Sequence, residues 1–263
     1  MISGTAKGVA YAIEGNGAPV LLVHGMGLNR HMWDWQMPSL VQKFQTIRYD
    51  LLGHGDSEQR PGPYVLNDFV DQIIQLLDHL DIDRSALVGF SLGGMIVRAA
   101  AVAYPDRVSA LAILNSPHDR SEAERAAMLT RLDLAFQNGP QATVDAALIR
   151  WFTEGFAARR PEVLDQIRDW MNANDPKIYP EIYRVLATGD AEIATSIAAI
   201  TCPTLVLACG EDYGNSPDMA QRMTALIPDA QLAIVPKLKH MGLAEDPTAI
   251  SDILTPFLEK ALA

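Results

Sequence analysis

Ala86-Leu87-Val88-Gly89-Phe90-Ser91-Leu92-Gly93-Gly94-Met95-Ile96-Val97 is the stretch on which the fold turns. Its first five residues are apolar and uncharged, the pattern of a strand buried on both faces. Leu92 to Tyr104 reads as a helix stopped by Pro105. Between the two lies Gly89-x-Ser91-x-Gly93. The bare pattern is weak, since three such positions match by chance in about one chain of this length in ten. Its position is informative. A strained strand-to-helix turn lifts a serine hydroxyl above the sheet, and flanking glycines keep that turn free of side-chain clashes. The N–H of Leu92, at the helix N-terminus, then faces any oxyanion formed there. The plainer alternative is a tight turn with a capping serine.

Working outward, further short apolar runs read as strands: Pro19–Val23, ended by Gly25; Gln45–Tyr49, ended by the Gly53/Gly55 turn; Val108–Leu114; Pro203–Ala208; and Gln231–Val235. Leu66, Phe69, Val70, Ile73, Ile74, Leu77 and Leu80 recur at helical spacing and define one apolar face. Asp246-Pro247 opens a last helix, with Asp as N-cap and Pro at the first helical position. Strands alternating with helices imply a mostly parallel sheet covered on both faces, so the fold class is α/β. From about His118 to Ala199 strand-like runs vanish. That stretch reads as several helices, with breaks expected at Asn138-Gly139-Pro140, Arg160-Pro161, Asp175-Pro176 and Gly189. The expected organisation is a core of residues 1–118 and 198–263 with a helical insertion at 119–197.

Composition narrows the function classes. The 263 residues carry 21 Lys+Arg and 32 Asp+Glu, a formal net charge of −11, with 49% hydrophobic and 20% charged residues. That is globular composition, not that of a disordered chain or coiled coil. The negative balance argues against a nucleic-acid partner, and an anionic substrate would need a local arginine cluster to offset it. Two cysteines, Cys202 and Cys209, exclude a disulfide framework and fit a reducing compartment. The N-terminal residues lack the basic start and long apolar run of a secretory leader, and no stretch is apolar enough to cross a bilayer. The expectation is a cytoplasmic protein with no membrane partner.

A serine nucleophile needs a base within hydrogen-bond reach and an acid to orient that base. Of the six histidines, His79 falls on a polar helix face and His54, between two glycines, reads as a turn residue. His240 follows the last strand and lies in a loop before the final helix. Asp212, just after the strand ending at Ala208, is the best acid. Taken alone they read as a loop histidine and a capping aspartate. Together with the Ser91 turn, they favour catalysis. A rival reading takes Gly25-Met26-Gly27-Leu28-Asn29-Arg30, with Asp50 about 20 residues on, as a dinucleotide fingerprint. Arg30 stands at the third glycine position, however, where its bulk obstructs close helix packing. There is no H-E-x-x-H and no C-x-x-C, so no metal is expected. Cys202 and Cys209 sit in or beside a buried strand, where free cysteine is packing. Trp33, Trp35, Trp151 and Trp170 read as packing residues, with Trp151 also a candidate for substrate contact.

Leu22-Val23-His24-Gly25-Met26-Gly27, Tyr49-Asp50-Leu51-Leu52-Gly53-His54-Gly55-Asp56-Ser57, the Ser91 turn and Lys239-His240-Met241-Gly242-Leu243-Ala244-Glu245-Asp246-Pro247 together resemble the α/β-hydrolase superfamily. The likeness spans nearly the whole chain, with its motifs in the family's order and with the nucleophile-acid-histidine succession Ser91, Asp212, His240. It implies that Met26, after the His-Gly pair, supplies a second oxyanion N–H beside that of Leu92. It also implies that residues 119–197 form a helical cap over the substrate, and that the Asp50–Ser57 loop is structural. Within the superfamily the chain is most similar to 3-oxoadipate enol-lactonases, through Met32-Trp33-Asp34-Trp35-Gln36-Met37-Pro38, Arg48-Tyr49-Asp50, Pro61-Gly62-Pro63-Tyr64 and Arg150-Trp151-Phe152-Thr153. Three features depart from those enzymes: the His24-Gly25 pair, Lys239, and an extra residue in the acid loop before Pro217.

The expected function is hydrolysis of a small carboxylic ester or lactone by Ser91, Asp212 and His240, without cofactor or metal. The same apparatus also serves slow-turnover ligand receptors, C–C hydrolases and perhydrolases. If the substrate carries a carboxylate, a cap arginine should bind it. Arg131, Arg150, Arg159 and Arg160 are the candidates, and spacing favours none of them.

Overall fold

The structure, a computed structural model, describes residues 2–263. In chain order the elements are β1 (Ile2–Ala6), β2 (Val9–Glu14), β3 (Pro19–Val23), α1 (Met37–Leu40), β4 (Gln45–Tyr49), α2 (Leu66–His79), β5 (Ser85–Phe90), α3 (Leu92–Ala103) and β6 (Val108–Leu114). Then follow α4 (Glu122–Asn138), α5 (Gln141–Trp151), α6 (Glu154–Arg159), α7 (Pro161–Asn172) and α8 (Tyr179–Glu192). The chain closes with β7 (Thr204–Cys209), α9 (Pro217–Leu226), β8 (Ala230–Val235), α10 (Gly242–Glu245) and α11 (Pro247–Ala261). Short 3-10 turns precede α1, β6 and β7. Among the described residues no helix is long and apolar enough to cross a membrane.

Eight strands among the described residues form one sheet in the order β1-β2-β4-β3-β5-β6-β7-β8. β1 and β2 pair antiparallel, as do β2 and β4, and every other pairing is parallel. Alternation along the strands divides the core. Leu21, Val23, Ile47, Leu87, Leu111, Ile113 and Val206 face one layer, packed on α2, α3, α8 and α9. Val20, Leu22, Ala86, Val88, Phe90, Ala112, Leu114, Leu205 and Leu207 face the other, packed on α1, α5, α7 and α11. Each large aliphatic side chain so buried contributes about 1.5–3 kcal/mol. This two-sided burial is why the strands read as unbroken apolar runs.

The register aligns the carboxyl ends of the strands. Val23 lies opposite Tyr49 on one side and Gly89 on the other, Phe90 opposite Leu114, and Leu114 opposite Leu207. The strand order reverses between β3 and β5, and the crevice above such a switch point is where ligands bind in open α/β sheets.

The β1–β2 hairpin lies outside the sequence expectation. Its turn residues Lys7 and Gly8 both have positive φ, and lysine gives no Asn-Gly-type turn signal. β1 is mostly exposed and so shows no apolar run. The helix break expected at Gly189 is absent, because that residue lies inside α8. There the missing side chain has a packing role: a Cβ on Gly189 would meet Met95 of α3 at 3.0 Å. Other signals act locally as expected. Asp246 caps α11, accepting from the Ala249 N–H at 3.0 Å, and Gly139 ends α4 at φ 76°.

Candidate active site

Ser91 is the single residue between β5 and α3, at φ 55° and ψ −114°. Such a conformation costs a non-glycine residue on the order of 1–3 kcal/mol and persists only where its surroundings fix it. Here the Ser91 N–H donates to Leu114 O at 2.9 Å, and Ser91 O accepts from Gly94 N–H at 3.0 Å and Ser116 Oγ at 2.8 Å. Buried Arg98 of α3 donates in turn to Ser116 Oγ at 3.2 Å and Pro117 O at 2.6 Å, fixing the neighbouring segment. The flanking glycines are steric requirements. A Cβ on Gly93 would lie 2.2 Å from Val23 O, and one on Gly89 would lie 2.3 Å from Gly93 O.

Asp212 follows β7 and His240 follows β8, and both are buried. Their contact is short: His240 Nδ1 lies 2.6 Å from Asp212 Oδ2. The other carboxylate oxygen accepts from the N–H groups of Gly214 (3.1 Å) and Asn215 (3.0 Å). Asp212 therefore holds the Nδ1–H tautomer of His240 and leaves the Nε2 lone pair free. The imidazole packs between Phe90 and Trp151, with ring centroids 4.7 and 5.5 Å away. Ser91 and His240 line one cavity of about 290 Å³, together with Met26, Trp151 and Arg150. No hydrogen bond joins Ser91 Oγ to His240 among the described residues, and ligand-free sites commonly show this contact long or poorly aligned. Met26 and Leu92 N–H groups likewise donate no hydrogen bond within the protein among these residues, leaving two backbone donors beside Ser91.

Of the four candidate arginines, Arg131 and Arg150 line the cavity. Arg160 pairs with Glu162, and Arg159 is exposed elsewhere. Asp50 is consumed by structure: it accepts the Arg30 N–H at 2.7 Å, forms an ion pair with the Arg30 guanidinium and accepts the Asp56 N–H at 2.9 Å. An acid so engaged is not available to a ribose. Cys202 and Cys209 are buried, and burial pushes the Cys209 thiol up to about 12. No cluster of three or more His, Cys, Asp or Glu placed to hold a metal occurs among the described residues.

Four residues that sequence reading left without a part hold this site together. His54 Nε2 accepts the Gly27 N–H at 3.0 Å, while Asn174 of the helical insertion donates to Gly27 O at 3.0 Å. His24 Nε2 accepts the Leu51 N–H at 2.9 Å, with its Nδ1 2.8 Å from Gly25 O. The Gly25–Gly27 segment, and with it the Met26 N–H, is thus clasped on several sides. Asn115, at φ 46°, donates to His240 O at 2.7 Å and accepts the Cys209 N–H at 3.0 Å, tying the histidine loop to β7.

The two clasping histidines act as acceptors only while neutral. Burial lowers His24 to about 4 and His54 to about 3, with the nearby His24 ring adding to the effect on His54. Both folded values lie below the unfolded value near 6.5. Their contribution is therefore fully present above that pH and is lost as pH falls toward 4 and then 3, at about 1.4 kcal/mol per pH unit for each histidine. Urea unfolding at pH 7.5 and pH 5 should show a fall of several kcal/mol. Equal stability at the two pH values would show that these rings do not remain neutral.

Comparison with known proteins bears on the fold and the family. The alpha/beta hydrolase fold family model matches residues 18–247. Two curated relatives come from Acinetobacter baylyi. One is (E)-2-((N-methylformamido)methylene)succinate hydrolase, 28% identical, with 95% of this chain and 93% of the relative covered. The other is 3-oxoadipate enol-lactonase 2, also 28% identical, with 97% and 96% covered. Among solved structures, a thermophilic esterase from Thermogutta terrifontis with malate bound superposes with a TM-score of 0.89 at 27% identity, covering 100% of this chain and 99% of that one. On the family match over most of its length and the sheet described above, the chain is an enzyme of the α/β-hydrolase fold family.

Proposed function

We propose that this hydrolase cleaves a small carboxylic ester or lactone through an acyl-enzyme on Ser91. Ser91 Oγ attacks the carbonyl carbon as His240 Nε2 takes its proton. Asp212 keeps the imidazole in the required tautomer and stabilises the imidazolium that forms. The Met26 and Leu92 N–H groups receive the oxyanion, each contributing about 3 kcal/mol to barrier lowering. His240 then gives the proton to the leaving alkoxide. Water, activated by the same ring, releases the acid. The helical insertion acts as a cap, closing the cavity over Ser91 with α4, α5, α7 and α8.

The observation that carries this reading is the strained, hydroxyl-bearing turn at Ser91 facing the same cavity as a histidine whose Nδ1 is engaged by a buried carboxylate. The named enol-lactonase and esterase among the similar proteins support ester and lactone bonds as the substrate class. Initial rates with 4-nitrophenyl acetate, 4-nitrophenyl butyrate and a small aliphatic lactone test it. Saturable turnover of at least one is expected. Folded protein that turns over none of them would overturn the reading and direct attention to ligand binding without hydrolysis.

A further inference from the structure

The two most exposed large apolar side chains among the described residues stand at one place. Tyr213 is 81% exposed and Ile149 74%, and both line the catalytic cavity. A side chain that lines a cavity and is bared to this degree stands at its mouth. The two come from different elements, Ile149 from α5 and Tyr213 from the loop after β7. Apolar surface gathered at such a mouth marks a contact for an apolar ligand.

Beyond Ile149 the surface falls into a second cavity, a groove of about 450 Å³ between α5, α6 and α7. Leu148, Phe152 and Leu164 give it an apolar wall. At its edge Asp145 and Glu154 balance Arg168 and Lys239 in sign, so the groove selects for no ionic charge. Ile149 and Lys239 line both cavities and form the ridge between them. That ridge is fixed to the histidine loop. Lys239 Nζ donates to Ile149 O at 3.0 Å, and the Met241 N–H donates to Trp151 O at 2.9 Å. With its ammonium so tied, Lys239 adds an aliphatic stem to the ridge.

The chemistry decides which end of a substrate crosses this ridge. Lys239 precedes His240 and Tyr213 follows Asp212, so the mouth opens beside the His240–Asp212 pair. His240 must give its proton to the leaving oxygen, which turns the alcohol portion toward that side. The acyl portion then takes the closed part of the cavity, against buried Leu28, Met128 and Tyr179.

We infer that the substrate is an ester whose alcohol portion is an apolar chain or ring, passing over Ile149 into the groove walled by Leu148, Phe152 and Leu164. The inference rests on the hydrolase reading above and assigns the two ends of its substrate.

Hexyl butyrate and ethyl octanoate test it. They are isomers with alcohols of similar acidity, and they differ in which side of the carbonyl carries the longer chain. Initial rates by pH-stat, below the solubility limit of each ester, give the ratio of their kcat/KM. Wild-type protein should favour hexyl butyrate by about tenfold or more, a factor that burial of two methylene groups supplies. Ile149→Ser and Leu164→Ser interrupt the apolar path, and the ratio should fall severalfold in each. Ile149 is exposed, so its replacement burdens the fold little, and thermal melting checks both variants. A wild-type ratio near or below one, or a ratio that both variants leave intact, overturns the inference and leaves the hydrolase reading standing. If neither ester is cleaved, saturation-transfer NMR with hexyl butyrate separates the two. Transfer to the hexyl methylenes that weakens in Ile149→Ser upholds the subsite while the hydrolase reading fails. No transfer, or transfer indifferent to that substitution, overturns both.

Discussion

Ser91→Ala is expected to lower kcat for a short-chain ester by about 10⁵-fold or more while leaving the fold in place. On the proposed mechanism this substitution removes the nucleophile and with it the covalent route, leaving the far smaller effect of substrate binding and the oxyanion donors. The structural cost should be slight. The Ser91 hydroxyl makes no hydrogen bond among the described residues, and every contact that fixes the turn goes through the backbone N–H and C=O, which alanine keeps. Alanine at φ 55° carries the same backbone strain as serine, so stability should change by no more than about 0.5 kcal/mol. Urea unfolding beside the rate assay separates the two effects. A variant of native stability that keeps more than about a tenth of wild-type kcat places the nucleophile elsewhere.

Asp212→Asn is expected to cost about 10⁴ in kcat by a different route. The amide keeps an oxygen to accept the Gly214 and Asn215 N–H groups, so the loop should hold its shape. Its NH₂ would face His240 Nδ1, driving the ring proton to Nε2, where the lone pair that accepts the serine proton must be. The defect should therefore lie in kcat, with KM little changed. A loss below about tenfold would mean that another group orients the ring; Asn215, whose side-chain nitrogen lies 3.3 Å from His240 Nδ1, is the neighbour to test next.

What the sequence discloses here follows the range of the forces involved. The parallel strands β3, β5, β6 and β7 are legible because burial on both faces leaves nearly unbroken apolar runs. Capping by Asp246 and termination at Gly139 are legible because they are local. The β1–β2 hairpin is not, since an exposed edge strand with a lysine in its turn carries neither signal. At the site, Ser91, Asp212 and His240 can be singled out because each sits just beyond a strand end, and the register brings those ends together. Their supports are of another kind. His54 meets Gly27, Asn174 meets the same glycine from the helical insertion, and Asn115 meets His240 across 125 positions. No periodicity or capping pattern announces such pairs. Likewise, Arg131 and Arg150 are indistinguishable in sequence from Arg159 and Arg160. Only the fold of the helices turns the first two toward the cavity.

The most direct measurement is peptide mass spectrometry of the protein acid-quenched within seconds of mixing with 4-nitrophenyl acetate. One acetyl group per chain on the peptide containing Ser91, absent in Ser91→Ala, is the expected result. Acetylation at the cavity rim alone, on Lys239 or Tyr213, or steady turnover with no acylated chain at all, would contradict an acyl-enzyme on Ser91.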